Sequence, residues 1–208
     1  DVWTDLETPV HDADGNEVLG VFEYSPCSST EAVSVMVSPA NVNVSQQLVL
    51  STFAHEMGHA IFDGPALVAK HHNQSLFDLA HAKPVQAFRH VTETQEHLQK
   101  QLPMIPDHIR RAELRANEFM GSLLVPRDLL WETVLAEAPR RAIEIRYEDN
   151  LFADSMDGVK ELVWSEATYD VDRWSFTRAI APMFGVTPAF IEVRMKRYGI
   201  IPPDAKPH

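Results

Sequence analysis

Residues 45–62 read SQQLVLSTFAHEMGHAIF, and this stretch decides the fold that we predict for the chain. Apolar side chains recur in it at intervals of three and four residues, which predicts an α-helix. The recurring positions are Leu50, Phe53, Met57 and Ala60. Asn43 or Ser45 can cap the start of this helix, and Gly64-Pro65 is expected to stop it.

The predicted helix contains the pentad His55-Glu56-Met57-Gly58-His59. Two histidines four residues apart stand on one helical face, so both imidazoles can bind one metal ion. Glu56 is rotated away from that face and can take a proton from a water molecule that a zinc ion activates. In the simpler alternative, the histidines lie on the surface and Glu56 is a salt-bridge partner. Because the pentad falls within a regular helix, we favour the metal site.

A zinc peptidase needs a third protein ligand and an open fourth coordination position. The extended pattern with a third histidine six residues on fails, since Pro65 stands there. Asp63 lies one turn beyond His59, but it is about 12 Å along the helix axis from His55, too far for compact ligation. The third ligand is therefore expected on another element.

Glu113 is the residue that we favour as the third ligand. A second helix is predicted at about 107–125 from another apolar stripe, which consists of Ile109, Ala112, Ala116, Phe119 and Leu123. Glu113 borders this stripe, so its carboxylate is expected to point inward, where it needs a cation. Asn117, one turn later, can hydrogen-bond a ligating histidine. The alternative is an ordinary ion pair of Glu113 with Arg110 or Arg115.

The first 40 residues are predicted to form β-structure. Two short runs rich in β-branched and aromatic residues, 18–24 and 32–37, flank a loop at 25–29, as in a hairpin. A third strand before Asp14 is a fainter prediction. The fold class that follows is α+β, with a small β-hairpin or sheet packed on a mostly helical, zincin-like body.

The remaining segments complete a division into three parts. These are a metallopeptidase core at 1–138, a charged and irregular connecting insertion at 139–170, and a C-terminal helical hairpin at 171–208 within the same domain. The core includes a polar, histidine-bearing insert at 66–106, in which 84–101 can form a solvated helix. His90, Glu93 and His97 on that helix would suit a second metal site, but a solvated face is the simpler interpretation. Further helices are predicted at 128–138, 174–184 and 188–198.

Two segments of the chain together resemble a known family. Residues 55–60 read HEMGHA, and residues 113–126 read ELRANEFMGSLLVP. This pair resembles the ImmA/IrrE family of bacterial metallopeptidases, in which a helix with HExxH is followed by a helix of the approximate pattern E-x-x-A-N-x-F-A-x-x-L-L-x-P. Residues 184–201 are similar to the C-terminal segment of that family. Met120-Gly121, the histidine-bearing insert and the acidic stretch at 139–170 depart from the family pattern.

The resemblance implies roles for four residues. His55, His59 and Glu113 would bind zinc, and Glu56 would be the catalytic base. It also implies a site-specific endopeptidase whose protein substrate is a helix-turn-helix transcriptional repressor, in transcription regulation or a stress response. Mn²⁺ or Fe²⁺ can occupy the same ligands, because affinity alone does not decide which metal a protein holds in cells.

Composition and charge restrict the partners and the compartment. The chain has 30 acidic and 18 basic side chains and a formal net charge of −12, which argues against nucleic acid as a partner. No run approaches the roughly 20 apolar residues that a membrane span needs. The single cysteine, Cys27, cannot form an intramolecular disulfide, which suits a reducing environment. A cytoplasmic protein without a membrane partner is therefore expected.

Two other functions are compatible with the sequence. A regulatory module could keep the metal site and sense metal or a partner without cutting it, although metal binding alone does not require Glu56. A DNA-binding regulator could use the C-terminal helices, which carry Arg194, Lys196 and Arg197 near their end. The peptidase itself needs a hydrogen-bond donor for the transition-state oxyanion. The candidates for that donor are Tyr169, Tyr198, Arg194 and His108.

Overall fold

The computed structural model describes residues 8–11, 15–24, 33–72, 85–90, 106–148, 159–164 and 169–201. They belong to two compact units, 1–123 and 124–208. The predicted α+β class is confirmed, because both units combine α-helices with antiparallel strands. None of the helices in these ranges combines the length and the hydropathy that crossing a bilayer demands.

The first unit contains a four-stranded antiparallel sheet. Its strands are β1 (Val10–His11), β2 (Glu17–Tyr24), β3 (Val33–Val37) and β4 (Val85–His90). The other three strands all pair with β2. The predicted strands at 18–24 and 32–37, and the fainter one before Asp14, are thereby confirmed.

β2 is a largely buried strand. Its residues 18–22 are all buried, and successive residues of a strand point to opposite faces. Both faces of β2 are therefore covered. Ser38, after β3, connects the strand ends, because its hydroxyl donates to the carbonyl of Val18 and accepts from the amide of Val10.

Strand β4 corrects one prediction. We predict a solvated helix at 84–101, whereas residues 85–90 form a strand whose register runs from His90 opposite Val18 to Val85 opposite Tyr24. The rest of that segment lies outside the described residues. The backbone N–H and C=O groups of β2 need hydrogen-bond partners. Because those partners come from a distant part of the chain, the local pattern does not reveal the pairing.

Among the described residues of this unit, three helices accompany the sheet: α1 (Gln46–Phe62), α2 (Gly64–His72) and α3 (Asp107–Leu124). Ser45 caps α1, since its hydroxyl accepts a hydrogen bond from the amide of Leu48. α1 ends where predicted, but α2 follows after one residue, with Pro65 in its first turn, where a missing N–H does no harm. The polar stretch predicted at 66–106 therefore begins as a helix that continues to His72.

α1 buries a different face from the one that its apolar pattern indicates. Its buried residues are Ser51, Thr52, Ala54, His55, Glu56, Gly58 and His59. Leu50 of the apolar stripe is 39% exposed, and Phe53, Met57 and Ala60 are only partly buried. The periodicity predicts the helix correctly, but the polar residues of the pentad are the ones that face inward.

α3 buries only part of its predicted stripe. Ala116, Met120 and Gly121 are buried, whereas Ile109 and Leu123 are exposed. Positions 113, 116 and 120 follow one another at three- and four-residue spacing, which places them on one side of a helix. The buried side of α3 is thus the side that carries residue 113.

The second unit joins helices to a β-hairpin around one core. Its elements are α4 (Arg127–Glu137), β5 (Glu144–Glu148), β6 (Val159–Val163), α5 (Tyr169–Phe184) and α6 (Pro188–Arg197). Its fully buried side chains include Leu130, Phe176, Ile180, Ile191 and Met195. β5 and β6 pair antiparallel, so the interpretation of 139–170 as irregular is wrong for these strands. The sequence EIRYE of β5 alternates polar and apolar residues, a β pattern that its charges obscure.

The predicted turn between the last two helices is confirmed. Gly185 adopts a left-handed φ of 65°, and the amide of Val186 donates to the carbonyl of Ala181, which closes the end of α5. The hydroxyl of Thr187 accepts from the amide of Phe190 and caps α6. α5 begins at Tyr169, five residues before the predicted start at 174.

Candidate metal centre

α1 and α3 approach each other closely at Gly58 and Ala116. A Cβ atom on Gly58 would lie 2.9 Å from the Cα of Ala116 and 3.3 Å from its Cβ and carbonyl oxygen. A Cβ atom is essentially never found as close as 2.9 Å to another Cα. Glycine is therefore needed for the two backbones to come this close. The contact brings the histidine face of α1 against the Glu113 face of α3.

We expect Gly58→Ala to lower the free energy of unfolding by about 1–3 kcal/mol, because the added methyl group forces the helices apart. Urea denaturation of the metal-free protein measures this change. Metal affinity should fall as well, since Glu113 moves away from the histidines. Gly64→Ala is the matched control, because a Cβ there would meet nothing closer than 3.4 Å. Wild-type stability and metal affinity in Gly58→Ala would contradict this account.

Atoms of the three predicted ligands converge at this contact. Nε2 of His55 lies 3.2 Å from Nε2 of His59. Oε2 of Glu113 lies 3.3 Å from Nε2 of His55, and its Oε1 lies 3.3 Å from Nε2 of His59. One ligand atom from each residue lies within 4.8 Å of the other two. This group of side chains can hold a metal ion.

The second ring nitrogen of each histidine contacts another side chain. Nδ1 of His55 lies 3.1 Å from Oδ1 of Asn117, and Nδ1 of His59 lies 2.8 Å from Oδ2 of Asp63. Because both of these oxygens accept hydrogen bonds, each Nδ1 donates its proton, so a ring that gives up its Nε2 proton presents a lone pair to a metal ion at that nitrogen. Both rings are held in the orientation and the tautomer that a metal ligand requires.

The centre attracts positive charge. Burial by itself would lower the pKa of His59, but hydrogen bonds to Glu113 and Asp63 and the charges of Glu113 and Glu56 raise it to about 9. Burial would raise the pKa of Glu113, but its hydrogen bonds and charge interactions with His55 and His59 hold that pKa well below its usual range. A carboxylate close to two buried imidazoles favours positive charge at this point, and a divalent cation can supply it.

Glu56 is buried on the side of α1 that faces the sheet. Only 1% of its surface is exposed. A Cβ placed on Gly20 of β2 would lie 3.2 Å from Cγ of Glu56 and 2.6 Å from Cγ2 of Thr52. Gly20 therefore lets α1 lie directly on β2, and this packing restricts the Glu56 side chain. Its carboxylate is near enough to influence the pKa of His59.

The structure also resolves the alternatives that the sequence leaves open for Glu113. Arg110 pairs with Asp107 at 2.6 Å, and Arg115 pairs with Asp63. Glu113 instead faces the two histidines, and Asn117 contacts one of them, as predicted for an outer partner of a ligand.

Sequence reasoning missed two features: the contact of Asp63 with His59, since Asp63 was considered only as a metal ligand, and the role of Gly58. The four-residue spacing between His59 and Asp63 is the signal that could have found the first, because it places both side chains on one helical face. A glycine inside a helix is the signal for the second. It costs about 1 kcal/mol relative to alanine, which suggests a packing reason.

The structure places the other candidates on several elements. His108 is exposed in the first turn of α3. Tyr169, Arg194 and Tyr198 belong to the second unit, where the Tyr198 hydroxyl donates to the carbonyl of Val125 and accepts from Arg194. His90 lies in β4. Cys27, Glu93 and His97 lie outside the described residues.

Comparison with known proteins adds no assignment to this geometry. No protein-family model matches the chain, and no curated protein or solved structure matches it significantly. The functional argument therefore depends on the site itself and on the sequence pattern.

Proposed function

We propose that this protein is a zinc-dependent endopeptidase with a zincin-like body, which hydrolyses a protein substrate at a specific site. One observation carries the proposal. His55, His59 and Glu113 bring one ligand atom each within 4.8 Å of the other two, while Glu56, next to His55 in the chain, is buried.

The donor set fits zinc. Two imidazole nitrogens and one carboxylate oxygen are ligands that zinc accepts, and three protein ligands leave a fourth position open, as in catalytic rather than structural sites. The Glu113 side chain is 30% exposed, so the centre can be reached from solvent. A zinc ion held there supplies a Lewis acid that polarises a carbonyl group and lowers the pKa of water.

We assign to Glu56 the two proton transfers that peptide hydrolysis requires. Its carboxylate accepts a proton from the water molecule whose oxygen attacks the scissile carbonyl carbon, and it delivers that proton to the amine nitrogen as the C–N bond breaks. Burial against β2 limits the rotamers of this side chain, so little orientation has to be gained during the reaction. The three ligands do not need Glu56 for metal binding, which is why its presence favours a hydrolase over a metal-sensing module.

A helix-turn-helix repressor is the substrate that we propose. The support is the resemblance of the α1 and α3 motifs to the ImmA/IrrE pattern. The net charge of −12 also suits the capture of a basic DNA-binding partner, because complementary charge speeds association.

The function can be tested by labelling new N-termini in a lysate of the source organism. The zinc-loaded protein is incubated with the lysate, in parallel with a chelator-treated sample. We expect one or a few new N-termini, within a basic DNA-binding protein, that are lost after chelation. Cleavage at many unrelated sites would contradict the repressor assignment, and no metal-dependent cleavage would favour the non-cleaving module.

The alternative DNA-binding function receives less support from the second unit. The Arg194 side chain is buried at 5% exposure, and Lys196 pairs with Glu192 at 2.8 Å. Basic side chains engaged in this way within a unit are less available to phosphates than free ones.

A further inference from the structure

We propose that Asp63 and Arg115 are positioning residues of the metal centre: Asp63 orients and polarises the His59 imidazole, and Arg115 fixes Asp63. The inference rests on the proposed metal site and adds two residues to it. Asp63 is not proposed as a fourth metal ligand. Its carboxylate contacts Nδ1 of His59, whereas the ligand atoms cluster around Nε2 of that ring.

Both oxygens of the Asp63 carboxylate accept a hydrogen bond in this arrangement. Its Oδ2 accepts from Nδ1 of His59 at 2.8 Å, and its Oδ1 accepts from Nη2 of Arg115. A carboxylate on Nδ1 fixes the tautomer and makes Nε2 a stronger electron-pair donor to a metal ion. The histidine, the aspartate and the arginine thus form a chain that leads from the ligand atoms towards the surface.

Asp63 lies between two helices. It is the C-cap residue of α1, and its carbonyl oxygen accepts from the amide of Leu67 in the first turn of α2. The two helix dipoles act on its carboxylate in opposite directions, because negative charge is unfavourable at the C-terminal end of a helix and favourable at the N-terminal end. The direction of the carboxylate is therefore explained by its hydrogen bonds to His59 and Arg115.

Arg115 connects the same chain to α3. This helix supplies the ligand Glu113, the amide of Asn117 that contacts His55, and the guanidinium that contacts Asp63. The Arg115 side chain is 53% exposed, so its ion pair with Asp63 by itself adds little to the stability of the fold. Its consequence is geometric, since it restricts the rotamers of the carboxylate that faces His59.

The two histidines are therefore supported unequally. His59 has a charged partner, Asp63, whereas His55 has a neutral one, Asn117. A carboxylate increases the basicity of the ring more than an amide does. Loss of the Asp63 side chain should consequently weaken metal binding more than loss of the Asn117 side chain.

The test measures zinc affinity by competition with a chromophoric chelator, together with the visible absorption spectrum of the Co²⁺-loaded protein. We expect Asp63→Ala to weaken zinc binding about 10- to 100-fold and to shift the Co²⁺ bands. Asp63→Asn should lose less, because an amide oxygen can still accept from Nδ1. Asp107→Ala is the matched control, since it removes an aspartate paired with an arginine on α3 but touches no ligand.

A double-mutant cycle tests whether Arg115 acts through Asp63. We expect Arg115→Gln to weaken zinc binding a few-fold in the wild-type background and to have no such effect in Asp63→Ala. An equal effect in both backgrounds would overturn the role of Arg115. Circular dichroism and thermal melting of each metal-free variant show whether it remains folded.

The outcomes separate this inference from the proposed function. If the wild type binds zinc and Asp63→Ala binds it equally tightly with an unchanged Co²⁺ spectrum, the positioning role is wrong while the peptidase proposal stands. If the wild type binds neither metal, both are wrong. A weakened, spectrally altered Asp63→Ala protein with an unaffected Asp107→Ala control supports the inference.

Discussion

Glu56→Gln is expected to lower the rate of peptide hydrolysis by about 10²- to 10⁴-fold, the range that general acid–base groups contribute. Glutamine has nearly the shape of glutamate, so it can occupy the same buried space against β2, but it cannot accept a proton from water. The zinc content should stay at the wild-type level because Glu56 is not among the three ligands. Single-turnover cleavage of the substrate found by N-terminal labelling measures the rate, and elemental mass spectrometry measures the zinc.

Glu132→Gln is the matched control for this variant. Glu132 is an exposed residue of α4, so the same chemical change there should leave the cleavage rate unaltered. Cleavage at the wild-type rate by Glu56→Gln would remove Glu56 from the reaction and favour the metal-sensing module. Loss of zinc from the variant would instead show that Glu56 takes part in metal binding.

Helices, caps and turns could be predicted from the sequence, because they depend on residues that lie close together in the chain. The bounds of α1, the cap at Ser45 and the turn at Gly185 follow from periodicity and from residues with special backbone preferences. Strand β4 could not be found in this way, because its pairing with β2 is a long-range hydrogen-bond requirement. β5 and β6 were missed for another reason, because the charged side chains of β5 obscure its alternating pattern.

The buried face of a helix could also not be predicted correctly from the sequence. Leu50 and its stripe are apolar, yet Thr52, His55 and Glu56 are the residues of α1 that face inward. The proposed metal centre offers a physical reason for this inversion. Polar side chains can be buried when they satisfy one another and share a cation, so hydrophobicity stops being a guide to burial at such a site.

The convergence of His55, His59 and Glu113 could be predicted from the sequence because helical spacing is rigid. Two histidines four apart meet on one face wherever the helix lies, and Glu113 was found from its place beside an apolar stripe. Gly58 and Asp63 act through contacts with Ala116 and Arg115, which lie more than fifty residues away. Contacts of that kind depend on how α1 and α3 cross, and the sequence does not state the crossing.

Glu113→Ala is expected to weaken zinc binding by roughly 100- to 1,000-fold. Zinc sites with about four ligands bind with apparent free energies of about 10–16 kcal/mol, so one ligand carries roughly 2.5–4 kcal/mol. Chelator competition measures the affinity. Thermal melting gives a second measurement, because zinc at 100 times its Kd stabilises the wild type by about 2.7 kcal/mol and should stabilise the variant far less at the same concentration.

Glu118→Ala is the matched control, since it removes a glutamate from the same helix at a position that is not a ligand. The expected loss for Glu113→Ala exceeds the loss for Asp63→Ala, because a ligand contacts the metal directly whereas Asp63 acts through His59. If Glu113→Ala kept wild-type affinity, the third ligand would have to lie elsewhere. Asp63 would then be a poor replacement, because its carboxylate is bound to the nitrogen of His59 that faces away from the other ligand atoms. Retained affinity would therefore contradict the geometry of the centre as a whole, and not merely the role of one residue.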